Sequence, residues 1–157
     1  MGIIKTFRGK LTDGGQDKIY LAGGEPDIGY RLIKFQMIND IPGTLDFENV
    51  LKIYKTKQDP VDGVVDFTDD SLLAAAFTSG DATANNYPED QTVVFDRIVV
   101  NQDLYVTNKE VSGNASLQNY YLEFEEVKMS GSEQAVVNFE AALLHGEWNK
   151  YLSFWIW

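Results

Sequence analysis

Twenty-four carboxylates against thirteen bases dominate the chemistry open to this 157-residue chain. Their densest run is Asp59-Pro60-Val61-Asp62-Gly63-Val64-Val65-Asp66-Phe67-Thr68-Asp69-Asp70. Carboxylates beside a glycine turn suit calcium, which accepts roughly six to eight oxygens in irregular geometry. Asp59, Asp62, Asp66 and Asp69 would be its ligands, although their spacing does not match an EF-hand loop. The competing reading is an acidic surface loop, and the expectation is that the chain carries no cofactor. Paired acids also serve glycoside hydrolysis. Glu123 and Glu125, two apart on one strand face, have that form, as do Asp62 and Asp66. With so many acids, some pair always falls at a workable separation, and solubilising charge accounts for them.

Other reactive groups are few. The chain has no cysteine, which excludes disulfides, thiolate metal sites and thiol nucleophiles. His145 is the single histidine, and no nucleophile-elbow pattern accompanies it. It falls at the end of a predicted helix, where a cation is favoured by the helix dipole. Gly14-Gly15 and Gly23-Gly24 are not followed by a helix start, so they read as turns rather than phosphate cradles. No catalytic residue is assigned, and the chain is read as a non-enzyme.

Charge narrows the partners. A net charge of −11 repels phosphate backbones, and no cluster of Lys and Arg offsets it, so nucleic-acid binding is not expected. No run approaches the roughly 20 apolar residues of a membrane helix. The first residues lack the apolar core of a signal peptide. Met1-Gly2-Ile3-Ile4-Lys5-Thr6 satisfies the N-myristoylation spacing, but the same residues read as the start of a β-strand. Asn114-Ala115-Ser116 is a glycosylation triplet that carries no weight without a secretory signal.

The elements that would position these groups are mostly strands. β-Branched and aromatic runs alternate with Gly, Asp, Asn and Pro punctuation, the spacing of a β-sandwich or barrel. Strands are expected over 3–11, 18–22, 30–38, 48–56, 92–100, 104–107 and 117–129. Thr12-Asp13-Gly14-Gly15 predicts a hairpin between the first two, and Asn101-Gln102-Asp103 a second one at 92–107. In the third strand Ile33, Phe35 and Met37 share one face. In the longest, Tyr120, Leu122 and Phe124 form the buried face and Glu123 and Glu125 the wet one. The capping oxygens of Asp69-Asp70-Ser71 ahead of an alanine run predict a short helix over 72–77, with a loop over 78–91. Ser132 as cap, Glu133 in the first turn and Gly146 past the end predict a helix over 132–144, with Val136, Phe139, Leu143 and Leu144 at helical spacing. The fold class is therefore mainly β, a β-sandwich or jelly roll with one or two short helices.

All three tryptophans fall in the last ten residues, seven of which are apolar or aromatic: Trp148, Tyr151, Leu152, Phe154, Trp155, Ile156 and Trp157. Chain ends are ordinarily polar and loose. Read as a strand, this segment is apolar on both faces, so both need cover. It either completes the domain's own core or adds to a neighbour's sheet or groove as an arm. The second reading divides the chain into a sandwich domain, 1–147, and an aromatic arm, 148–157. Tryptophan and tyrosine are typical interface hot spots, and these seven residues are the expected partner-binding site.

Phe95 to Thr107, centred on Val100-Asn101-Gln102-Asp103-Leu104-Tyr105-Val106-Thr107, and Asn119-Tyr120-Tyr121-Leu122-Glu123-Phe124-Glu125 resemble segments of small β-rich virion proteins of marine tailed bacteriophages. Asp69-Asp70-Ser71-Leu72-Leu73-Ala74-Ala75-Ala76 is similar too. The resemblance implies a structural component of a virion, either a capsid auxiliary or cement protein or a tail component. It brings no catalytic residues. Its partners would be other virion proteins and copies of itself, and its location the virion. The alternative is a carbohydrate- or receptor-binding module of a tail fibre or spike, with Tyr87, Tyr105 or Tyr120 stacking on sugars.

Overall fold

A computed structural model describes residues 2–21, 25–43, 46–80 and 89–144. Among them the chain forms nine strands and one helix: β1 Ile4–Leu11, β2 Gln16–Ile19, β3 Ile28–Asn39, β4 Phe47–Tyr54, β5 Leu72–Gly80, β6 Glu89–Val94, β7 Val99–Val100, β8 Leu104–Glu110, β9 Gln118–Lys128 and α1 Gly131–Leu144. They make two antiparallel sheets. Sheet A has the order β1-β9-β3-β7 and sheet B the order β2-β8-β4-β5-β6. The inner faces meet through Leu32, Phe35, Leu122 and Phe124 from sheet A, and Leu51, Ile53, Leu104 and Val106 from sheet B. The fold is a mainly β sandwich, as the strand spacing predicted.

Alternation explains β9 directly. Gln118, Tyr120, Leu122 and Phe124 are buried, and the residues between them are only partly covered. β3 starts on the same rule with Tyr30 and Leu32 inward. A bulge between Leu32 and Lys34 then inserts one residue, so that Phe35 is inward again and Ile33 is left 39% exposed. Ile33 was expected beside Phe35 and Met37. A bulge shifts the face of everything after it, and an unbroken period of two cannot anticipate that.

Three local expectations are overturned. The helix over 72–77 is strand β5. Its alanines lie between β4 and β6, with Ala74 and Ala76 inward and Ala75 buried on the other face. A strand covered on both sides loses its alternation and becomes indistinguishable from a short helix by pattern. The loop over 78–91 shortens accordingly, because β5 runs to Gly80 and β6 begins at Glu89. Neither predicted hairpin forms. β1 pairs with β9 while β2 pairs with β8, and 92–107 divides into β6 and β8 of sheet B with β7 of sheet A between them. The turns at 12–15 and 101–103 carry the chain from one sheet to the other.

A buried amide cluster holds the first of these corners. Asn49 Nδ2 donates to Asn108 Oδ1 at 2.9 Å, and Asn49 Oδ1 accepts from Ser116 Oγ at 2.6 Å and Gln118 Nε2 at 3.1 Å. Asn108 Nδ2 donates in turn to the carbonyls of Leu11 and Thr12. The Gly14 amide donates to the Asn108 carbonyl at 2.8 Å, with Gly14 at φ 75°, where L side chains are strained. Nearby, Tyr120 Oη crosses between the sheets to Asp17 Oδ2 at 2.8 Å. Its ring lies over Gly9, where an added Cβ would sit 2.6 Å from Oη.

The predicted second helix is present as α1, capped two residues earlier than expected. The Glu133 amide donates to Ser130 Oγ, and Glu133 Oε2 accepts from the Ser130 amide at 3.1 Å, a reciprocal box. α1 docks through small and polar groups. Ala142 is buried, Asn138 bonds Asn101 at 2.9 Å, and Glu140 pairs with Lys55. Of the predicted stripe Phe139 is half-buried, whereas Val136, Leu143 and Leu144 are left exposed.

Replacing Asn49 with Ala should lower unfolding stability by about 3 kcal/mol in urea denaturation, because it strands Asn108, Ser116 and Gln118 at roughly 1–3 kcal/mol for each buried unpaired group that cannot relax. A change below about 1 kcal/mol would show that the corner stands without the cluster.

Candidate functional site

The acidic run folds across the outer face of sheet B. β4 supplies Lys52 to that face, between Ala75 and Thr107. Lys52 is 1% exposed, and its ammonium donates to Asp62 Oδ1 at 2.8 Å and to the Val64 carbonyl at 2.5 Å. The same ammonium lies 5.2 Å from the centre of the Tyr54 ring. A strand lysine at an alternating position reads as solvent-facing in sequence. Its burial comes from the loop over 57–70, which no local signal reports. Gln58 fastens the start of that loop by exchanging hydrogen bonds with Gln16, and Phe67 stacks edge-on against Phe95 near its end.

Three of the four candidate calcium ligands, Asp62, Asp66 and Asp69, are occupied separately. Asp62 holds Lys52 and its own turn, accepting from the Val64 amide at 3.0 Å. Asp66 accepts from the Thr68 amide and hydroxyl, and Asp69 from the Ser71 amide and hydroxyl. Among the described residues no three His, Cys, Asp or Glu side chains converge into a group that could hold a metal. Asp62 lies below the ordinary carboxylate range, because the Lys52 hydrogen bond favours its anion over the opposing cost of desolvation. Asp66 is also lowered, by its bonds to Thr68.

The other predicted sites divide as follows. Glu123 and Glu125 share the outer face of sheet A, where Glu125 pairs with Arg31 at 2.5 Å and Glu123 accepts from Tyr121 Oη at 2.8 Å. Tyr120 is buried, and its hydroxyl pKa is raised by burial and by the Asp17 carboxylate. It cannot stack on a sugar. Tyr105 is half-buried, and Tyr87 lies outside the described residues. Ser116 of the glycosylation triplet is buried in the amide cluster. His145 and the whole arm, Trp148, Tyr151, Leu152, Phe154, Trp155, Ile156 and Trp157, lie outside the described residues.

Two surfaces were not foreseen. Between α1 and the outer face of sheet A lies a groove of about 520 Å³, lined by Val99, Val127, Val136 and Val137 with Arg97 and Glu133 at its rim. The loop over 57–70 presents Val64 and Val65, 65% and 45% exposed, among its aspartates. Among the described residues no helix is long and apolar enough to cross a membrane. Compared with known protein families and with curated proteins, the sequence shows no match.

Asp62→Asn should lower stability at neutral pH by about 1–2 kcal/mol, the low end for a hydrogen bond to a charged group because the carboxylate side is solvated. Asp62 is held below its unfolded value, so its contribution is complete above the ordinary carboxylate range and disappears as pH falls through the folded value. Urea midpoints of the parent and D62N should therefore converge in acid. A difference that persists there would assign the effect to something other than the carboxylate charge.

Proposed function

We propose that this chain is a non-enzymatic structural protein of a viral particle that assembles in many copies through its termini, as a capsid cement or decoration protein or a tail component. The supporting observation is where the sandwich leaves apolar side chains uncovered. Ile3 and Ile4, 66% and 45% exposed, lie at the start of β1, an edge strand of sheet A. Val136 and Leu143, 68% and 48% exposed, lie on α1, which leads into the aromatic segment. Uncovered apolar groups of this kind mark surfaces that meet another molecule. An unpaired strand edge adds a row of backbone donors and acceptors to which a neighbour's strand can bond. The virion setting rests on the resemblance of 69–76, 95–107 and 119–125 to phage structural proteins.

The partners are copies of the chain and other virion proteins, with Trp148, Tyr151, Leu152, Phe154, Trp155, Ile156 and Trp157 as anchors. Replacing Phe154, Trp155 and Trp157 together with alanine in the full chain should abolish incorporation into particles. The thermal unfolding transition should stay within a few degrees of the parent. Incorporation is read by mass spectrometry of purified particles, in which the parent chain is expected at high copy number. A variant that unfolds would assign the arm to its own domain's core. A parent chain absent from particles would end the virion reading.

A further inference from the structure

The outer face of sheet A carries Arg8, Lys10, Arg31 and Lys34 against Glu123 and Glu125, a cationic surface on a chain of net charge −11. Arg31 is committed to Glu125, whereas Arg8, Lys10, Lys34 and nearby Arg97 have no ion-pair partner among the described residues. Arg31 is the cross-strand neighbour of Val99, so the charged surface runs into the apolar groove beside α1. The loop over 57–70 has the opposite character, with five aspartates, one lysine, and the exposed Val64 and Val65. Asp59 and Asp70 have no ion-pair partner among the described residues. Val64 and Asp62 sit over Lys52 on the outer face of sheet B.

We propose that these are the two halves of one interface between copies of this chain: the Asp59–Asp70 loop of one molecule docks on the Arg8–Lys34 face and groove of the next. Charge and apolarity match on both sides, a cationic strip that runs through Arg31 to a valine-lined groove and aspartates around a valine knob. The halves lie over the outer faces of opposite sheets, so a single molecule does not bring them together. The contact is heterologous, each copy offering one half to each of two neighbours, and such contacts propagate into rings or rows. It adds to the assembly through the termini proposed above and does not depend on it.

The test is sedimentation velocity of the full chain in dilute and in high-salt buffer. Concentration-dependent association is expected in dilute buffer, weakened at least about tenfold by salt, because the charges meet at solvated rims. R8E/K34E and D59K/D70K chains should each lose this association, since each has like charge on both halves. An equimolar mixture of the two should regain it. Neither pair of residues has an ion-pair partner among the described residues, so circular dichroism should report an unchanged fold for both. The same charge reversals in the chain with Phe154, Trp155 and Trp157 replaced by alanine separate this contact from the arm, as the salt-sensitive component should persist there until the charges are reversed. A parent chain that stays monomeric in dilute buffer, or a mixture that does not recover, would overturn the proposal. Retention on heparin without self-association would assign the cationic face to an anionic polymer and overturn it as well.

Discussion

The sandwich depends on a buried amide. Asn49 sits fully enclosed where β4 of sheet B faces the start of β9 in sheet A, and its two side-chain atoms bond Asn108, Ser116 and Gln118. Two apolar inner faces attract one another without direction, and many relative positions bury similar area. An amide that must find three named partners in a low-dielectric interior accepts only one of them. Asn108 extends the constraint to Leu11 and Thr12, so one group of side chains sets both the spacing of the sheets and the path of the chain between them.

That arrangement decides what the outside offers. With the interior closed by leucine, valine and amide contacts, the exposed charged and apolar groups lie on the two outer faces. One is overlaid by an acidic loop pinned to a buried lysine, and the other is left bare and cationic apart from α1. The lysine matters to both structure and surface. Lys52 takes up the Asp62 charge, and the aspartates to either side of it stay in solvent. α1 adds little burial of its own, with Ala142 as its buried residue. Docking by asparagine and glutamate leaves Val136, Leu143 and Leu144 exposed.

Much of the fold was readable from strand chemistry. β9 follows simple alternation, and the helix was foreseen over 132–144, although its cap is Ser130 rather than Ser132. The failures share a cause. Turn residues at 12–15 and 101–103 correctly mark a reversal, but whether a reversal closes a hairpin or crosses between sheets is decided by distant partners. Ile33 and the alanines of β5 are set by a bulge and by cover on both faces, neither of which has a local signature. The acidic loop was legible as a loop. That it seats on Lys52, and that cations from β1 and β3 gather opposite it, depend on register between segments up to about a hundred residues apart.

Register also sets the order in which the chain can close. β9 is the central partner of both β1 and β3, with Ile4 opposite Glu125 and Ile28 opposite Lys128. During synthesis β1 emerges first and has no strand to join until nearly the whole sandwich has been made. Sheet B can begin earlier, since β4, β5 and β6 follow one another in the chain. Sheet A waits for a single late strand, and loop closure over such distances is slow. A nascent chain stopped before residue 118 would therefore leave the edges of β1 and β3 that flank β9 without their strand partner. The vulnerable period of this protein is the time the ribosome takes to reach β9.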